Sequence, residues 1–388
     1  MRNLQVRRAI FYGFIIVFFV SAPTIVLFTA GIRWSFDQGI TRTGTIFVAS
    51  VPKDADIFLN DDRYDDTTPT VVKRQQPGTW GVRLELEDHL PWQKNLPVAE
   101  GTTTFIDNVI LFLDTEPELL IAEGMQNVDW SPDRRSIAWA DHQEGWTEIW
   151  ISDIERPASS LVSRFTLNKD VELKWVDVDL LSVTNDDVET MVSKSGATID
   201  PESDNSAQTE IKIVDSVAQI IDSSTENIIA RLPFGAYTVV DERGPYIIVK
   251  DTLNNHIGLI NRNDKNEPLL LLEDATSAEW IREDVLLFAS PFSISIYEPS
   301  KHETTLITRI SSEIRDPQWH PDGGYIFYAT GNDLHVIELD DRDSRRDTVL
   351  AELNDISNFA VDERGRTLYI IGDDGIDQGL FRRPLYKR

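Results

Sequence analysis

The chain contains no cysteine in 388 residues and only three methionines. Without thiols it forms no disulfide, performs no thiol catalysis and builds no thiolate metal site. Histidine is sparse as well. The six residues (89, 142, 256, 302, 320 and 335) are scattered without metal-ligand spacing, and His302-Glu303 lacks the second histidine of a zinc-protease helix. Basic side chains are outnumbered, 37 Lys and Arg against 65 Asp and Glu, for a formal charge of −28. The imbalance lies wholly after residue 44, where 32 basic residues face 64 acidic ones; the first 43 residues carry a net +4. An acidic surface of this kind repels nucleic acid, so none is expected as a partner, and it keeps an exported protein soluble. Also missing are a Gly-x-Ser-x-Gly elbow and a phosphate-cradling Gly-rich loop with lysine. The acidic runs Asp340-Asp341-Arg342-Asp343 and Asp373-Asp374-Gly375 do not follow calcium-loop spacing and read as surface turns. No catalytic residue, metal site or cofactor is therefore expected.

Long hydrophobic runs are absent but for one. Ala9 to Ile32 is an uncharged stretch of 24 residues bounded by Arg8 and Arg33. As a helix it would reach about 36 Å, against a bilayer core of about 30 Å. Tyr12 and Trp34 lie near its ends, where interfacial aromatic residues belong. A cleaved signal peptide is the rival reading: the run exceeds the usual apolar core and Pro23 after Val20-Ser21-Ala22 blocks cleavage there, while Thr29-Ala30-Gly31 is a passable site. Arg2, Arg7 and Arg8 precede it without an acid. The expectation is a single-pass anchor over 9–32 embedded in the lipid bilayer, with residues 1–8 cytoplasmic and the bulk of the chain extracytoplasmic.

From about residue 118 one pattern recurs. Asn127-Val128-Asp129-Trp130-Ser131-Pro132-Asp133 returns as Asp316-Pro317-Gln318-Trp319-His320-Pro321-Asp322-Gly323. Val240-Asp241-Glu242-Arg243-Gly244 returns as Val361-Asp362-Glu363-Arg364-Gly365, and Trp175 and Trp280 open a third variant. Anchors at 130, 175, 240, 280, 319 and 361 leave intervals of 45, 65, 40, 39 and 42 residues. A period near 40, with strands of period two and a polar turn, marks the blade of a propeller. The interval of 65 reads as an insertion over about 187–208, because Thr209-Glu210-Ile211 matches Thr147-Glu148-Ile149 of the first unit. The last unit lacks a fourth strand. Glu118 to Ala122 is expected to fill that place and lock the ring.

These repeats resemble the Trp-Ser-Pro-Asp-Gly units of TolB-type propellers over residues 115–388. Before them, 44–114 has strands at Gly44–Ser50 and Ala55–Leu59, turns at Asn60-Asp61-Asp62 and Thr67-Thr68-Pro69, then Pro77-Gly78, Leu90-Pro91-Trp92 and Gly101. That order resembles the PEGA domain of bacterial and archaeal surface proteins, with Lys53-Asp54, Asp61 and Asp66 where the family favours small residues or Gly. The whole reads as an all-β chain: an N-terminal transmembrane helix, a linker over 33–43, a small PEGA-like β-sandwich and a six-bladed propeller.

The residues before the anchors are Asp129, Lys174, Val239, Glu279, Gln318 and Ala360. They alternate away from the Trp face and are expected to line an axial funnel, with Asp129, Lys174, Glu279 and Gln318 as binding candidates. What the two resemblances imply is a scaffold of the cell envelope that presents a protein- or glycan-binding surface. The alternative is a propeller-type glycan hydrolase or lyase acting in the funnel.

Overall fold

A computed structural model describes residues 2–29, 32–35, 39–122, 124–155, 158–166, 171–185, 188–199, 209–214, 217–264, 269–272, 275–282 and 284–387. It divides into two compact units, one comprising Met1–Asp114, Asp340–Ser344 and Tyr386–Arg388, the other Thr115–Leu339 and Arg345–Leu385.

The first unit opens with the helix Arg2–Thr29, which contains Pro23. Among the described residues no helix is long and apolar enough to cross a membrane. The stretch 33–43, expected as a linker, instead carries a hairpin in which Ile32–Ser35 pairs with Gly39–Arg42. Two sheets follow. Gly44–Val51 lies between Thr70–Gln75 and, in parallel, Thr103–Ile110. Asp56–Leu59 lies between Asp62–Thr67 and Gly78–Glu85, with Trp92–Val98 beyond. Burial alternates residue by residue along Gly44–Val51 and Trp92–Val98, as strands with one face on a core require. That core includes Ile46, Val48, Ile57, Leu84, Trp92 and Leu96. Asp54 and Asp61, which stand where glycine is usual, adopt φ of 67° and 69°. Short polar side chains tolerate this left-handed conformation better than most, so the turns survive the substitutions.

The second unit contains seven antiparallel sheets among the described residues, one more than the anchors implied. Sheet I is Gln126–Trp130, Ser136–Gln143, Trp146–Asp153 and Ser159–Thr166. Sheet II is Val171–Asp177, Leu180–Asn185, Val188–Ser193 and Thr198–Ile199. Sheet III has the strands Thr209–Val214, Val217–Asp222 and Ile228–Arg231. Sheets IV, V and VI each hold four strands and begin with Tyr237–Arg243, Ser277–Arg282 and Ile314–Trp319. Sheet VII orders Asp355–Val361, Thr367–Asp373 and Gln378–Pro384, then Glu118–Ile121.

The long interval is thus corrected. Sheet II completes itself inside the supposed insertion: Val188–Ser193 pairs with Leu180–Asn185, and Met191 and Val192 face Ile199 and Thr198. Thr209–Val214 does not pair into sheet II but belongs to sheet III. Residues 187 and 200–208 of that expected insertion lie outside the described residues.

The sheets pack face to face. Ile149 and Ile151 of sheet I meet Leu173, Trp175 and Leu181 of sheet II, and Ala218 and Ile220 of sheet III meet Ile247 and Val249 of sheet IV. Ile257 and Leu259 meet Trp280 and Leu286, while Leu287 and Ile294 meet Ile314 and Tyr328. The last sheet returns to the first: Ile371 and Leu380 pack against Ile137 and Trp139. Anchor tryptophans seal these contacts. Trp130 Nε1 donates to Asn358 Oδ1 of sheet VII (2.8 Å), and Trp280 lies 5.4 Å from Tyr246 of sheet IV. A chain of sheets whose last packs on its first is a propeller.

His320, fully buried, takes the place of Ser131 in the recurring turn. Its Nδ1 accepts the Asp322 N–H (3.1 Å), so Nε2 carries the proton and donates to the Gly365 carbonyl (2.9 Å) in the turn of sheet VII. Burial holds its pKa below the usual histidine value. Ring closure is made by Glu118–Ile121, which runs antiparallel to Gln378–Pro384 with Leu119 opposite Phe381. Glu118 pairs with Arg382 (2.9 Å), and Arg383 Nε donates to the Thr115 carbonyl (2.9 Å). Gly379 permits the approach, because a Cβ there would sit 1.9 Å from the Ile121 carbonyl oxygen. Gly379→Val is therefore expected to cost about 1–3 kcal/mol by forcing the strands apart. Urea denaturation measures the loss, and hydrogen exchange should show Leu119 and Ile121 amides losing protection; unchanged protection would refute the assigned closure.

Candidate functional site

The residue before an anchor has a first duty to the ring. Asp129 Oδ2 accepts the Trp175 backbone N–H (2.7 Å), and its carbonyl accepts the Trp175 indole N–H (3.2 Å). Gln318 makes the corresponding link one sheet before the end: Nε2 donates to the Phe359 carbonyl (2.6 Å) and Oε1 accepts the Val361 N–H (3.4 Å). Each clamps the first strand of its sheet to that of the next. Two funnel candidates are therefore partly spent on structure. Lys174 and Glu279 hold the same position in sheets II and V, both exposed, and neither side chain hydrogen-bonds a described residue. Val239 and Ala360 supply no polar group.

Arg134 joins these residues. It ends the turn after Trp130 with φ of 56°, and its Nη1 donates to Gln318 Oε1 (2.8 Å) across 184 residues of chain. Its charge also acts on Asp129 and on Glu279. One side chain of sheet I thus reaches groups of sheets V and VI. Lys174 acts on Asp129 from sheet II, and Arg243 and Asp241 act on Glu279 from sheet IV. The charge couplings thus involve sheets I, II, IV and V, and one hydrogen bond joins sheets I and VI. Hydrogen bonds tie Asp129 to sheet II and Gln318 to sheets I and VII, whereas Lys174, Glu279, Asp241 and Arg243 enter through charge alone. The sequence carried a trace of Arg134, Asp241 and Arg243: each follows an anchor within the recurring turn, but nothing in one dimension tells how far an arginine reaches.

Burial raises the Asp129 carboxyl above its ordinary pKa, opposed by the N–H groups of Trp175 and Trp130 and then by Arg134 and Lys174. Burial likewise raises Glu279, opposed by Arg134 and Arg243 and reinforced by Asp241. Glu279 is accessible to solvent yet desolvated by the protein around it, the combination expected of a side chain in a recess. Asp316, which the sequence did not single out, is raised by burial as well, with Arg315 opposing. No group of three or more His, Cys, Asp or Glu among the described residues is arranged to hold a metal ion. What the group offers is a set of charge-assisted hydrogen-bond donors and acceptors on clamped strands.

The two carboxylates give opposite mutational outcomes. A carboxyl whose folded pKa exceeds its unfolded value weakens the fold when ionised, and the penalty disappears as pH falls through the folded value to the unfolded one. Glu279→Gln should therefore match or exceed the native chain in stability at pH 7, the gap closing near pH 4. Asp129→Ala should instead lose about 1–3 kcal/mol at pH 7, since the Trp175 N–H loses its acceptor. Thermal melts of both variants across this pH range check the pair; a destabilised Glu279→Gln at pH 7 would contradict the recess.

Three solved structures align with part of the chain. A chain of the mitotic checkpoint complex aligns at 14% identity over 70% of this chain and 95% of its own, with a TM-score of 0.49. PorZ, a bacterial surface component of the type-IX secretion system of Porphyromonas gingivalis, aligns at 12% over 68% of this chain but 37% of its own, with a TM-score of 0.41. Hsv2 of Kluyveromyces lactis aligns at 12% over 68% and 98%, with a TM-score of 0.41. None is close enough to carry a functional conclusion. No curated protein matches the chain. Residues 43–110 match the family model of the PEGA domain, and the strand order of the second unit makes it a β-propeller.

Proposed function

We propose that the chain is a membrane-anchored, extracytoplasmic scaffold of the cell envelope, whose TolB-type propeller head of seven blades presents a binding surface to an envelope protein or glycan. The observation that carries this reading is the joining of a PEGA domain to a closed ring of sheets in one chain. PEGA resemblance implies a surface protein, and a ring of packed sheets holds its connecting loops rigidly for contact. Several loops display apolar side chains to solvent. Phe234 is 78% exposed and Leu253 59%. Their turns are fixed by Asp251, whose carboxylate accepts the N–H groups of Ala236 and Leu253 (both 3.0 Å). Rigid exposed apolar groups suit partner binding.

Anchoring through residues 9–32 is supported by the uncharged run itself, in which Ile10, Phe11, Phe14, Val17 and Phe18 are all exposed. Three arginines before the run favour a cytoplasmic tail. The second reading, a glycan hydrolase or lyase, draws on the raised carboxyls of Asp129 and Glu279. Protease added to intact cells, with crosslinking in parallel, tests the proposal. The scaffold reading expects digestion of residues beyond 44 and recovery of an envelope component crosslinked to the head. A head sheltered from protease would end it, and release of soluble fragments from envelope glycan by the native chain but not by Glu279→Gln would replace it with the enzyme.

A further inference from the structure

We propose that the rim where sheets III and IV meet docks on the surface of an anionic lipid bilayer. The inference goes beyond the scaffold reading and does not depend on the anchor over 9–32.

Hydrogen bonds join three turns at one end of these two sheets. The hairpin of sheet III lies between Val214 and Val217, which pair across it, and that of sheet IV between Asp251 and His256. Residues 232–236 carry the chain from sheet III into sheet IV. Leu232 donates its N–H to the Ala218 carbonyl beside the first hairpin (2.8 Å), and Thr252 in the second donates to the Ala236 carbonyl (2.7 Å). Asn254 Nδ2 reaches the Phe234 carbonyl (3.4 Å), and Asp251 Oδ1 accepts the N–H groups of Ala236 and Leu253. The three turns therefore form one rim.

Five large apolar side chains stand on it in solvent: Ile213, Val214, Val217, Phe234 and Leu253. Ile211 packs into the core between the sheets, and Ile213 is the next residue on the same face of its strand, yet it is 75% exposed. Side chains lining a cleft would lose most of such exposure, so Ile213, Phe234 and Leu253 are knobs on a convex surface. A protein partner has to carry a cavity of matching shape, whereas a bilayer deforms around any knob.

Charge selects the kind of bilayer. Within 212–218, 231–237 and 250–256 the described charged side chains are Lys212, Arg231, Lys250 and Asp251; Asp215 lies outside the described residues. Asp251 is buried and turned inward to the N–H groups of the turns, and Lys212 is paired with Glu210 (3.2 Å). Arg231 and Lys250 are left, neither paired with an acid among the described residues. Apolar knobs enter the boundary between headgroups and acyl chains while such cations stay at the lipid phosphates. The chain's net charge of −28 opposes approach by its other surfaces. At contact, screening over about 8–10 Å leaves the rim's own cations to decide.

The absence of cysteine lets one label report one position. Full-length Leu253→Cys carrying the fluorophore NBD is reconstituted with vesicles of phosphatidylcholine, alone or mixed with phosphatidylglycerol. With phosphatidylglycerol its emission should move to the blue and be quenched by doxyl-labelled lipid. Ile228→Cys, exposed at the opposite end of sheet III, should stay in water. Arg231→Ala and Lys250→Ala should each lower the ratio of membrane-contacting to unbound heads about fivefold. Circular dichroism melts confirm that the variants fold. An unshifted Leu253 label overturns the proposal, as do an equal shift without phosphatidylglycerol, a shift that neither cation alters, and an equal shift at Ile228. Burial of the label only after solubilised envelope protein is added gives the rim to a protein, overturning this inference while the scaffold reading stands. Carbonate extraction of the same vesicles reads the anchor separately.

Discussion

The pairing of Glu118–Ile121 with Gln378–Pro384 is the constraint on which the propeller depends. A sheet of about forty residues cannot cover both of its faces, so each needs a neighbour on either side. An open series would leave Ile137 and Trp139 bare at one end and Ile371 and Leu380 bare at the other. Closure puts those two faces together. Burial of a large apolar side chain stabilises by about 1.5–3 kcal/mol, so the shared face alone outweighs any single hydrogen bond in the ring. Gly379 is the local condition for it, since a side chain there would collide with the closing strand's backbone.

Polar links then set how tightly neighbouring sheets turn about the axis. Asp129 and Gln318 tie the starts of successive sheets, and His320 ties the turn of sheet VI to that of sheet VII. These bonds fix backbone positions around the axis.

Much of this was legible in one dimension. Anchors such as Trp130-Ser131-Pro132-Asp133 are local in their physics, since proline fixes φ and the aspartate bonds nearby amides. The missing last strand and its replacement by Glu118–Ile121 followed from counting strands against anchors. Positive φ at Asp54 and Asp61 followed from residue type against family habit, although Asp66 lies within Asp62–Thr67 and is not among the positive-φ residues. Sheet III was not legible. Its Thr209-Glu210-Ile211 looks like an interior strand of sheet I and carries no Trp or Pro anchor, so likeness to a neighbour's third strand disguised a separate sheet. Alternation named Asp129, Lys174, Glu279 and Gln318, but that Asp129 and Gln318 tie neighbouring sheets, and that Arg134 reaches Gln318 across 184 residues, is set by three-dimensional closure.

Closure can be tested with a single pair of thiols, because the native chain has none. Glu118 and Arg382 face each other across the closing pair and form an exposed ion pair, so Glu118→Cys with Arg382→Cys leaves the core untouched. Under mild oxidation the double variant should form an intramolecular disulfide, read by loss of free thiol and faster migration without reductant. Pairing Glu118→Cys with Asp177→Cys in sheet II should not. Free thiols, or bonds only between molecules, in the first variant would contradict a ring closed by this strand.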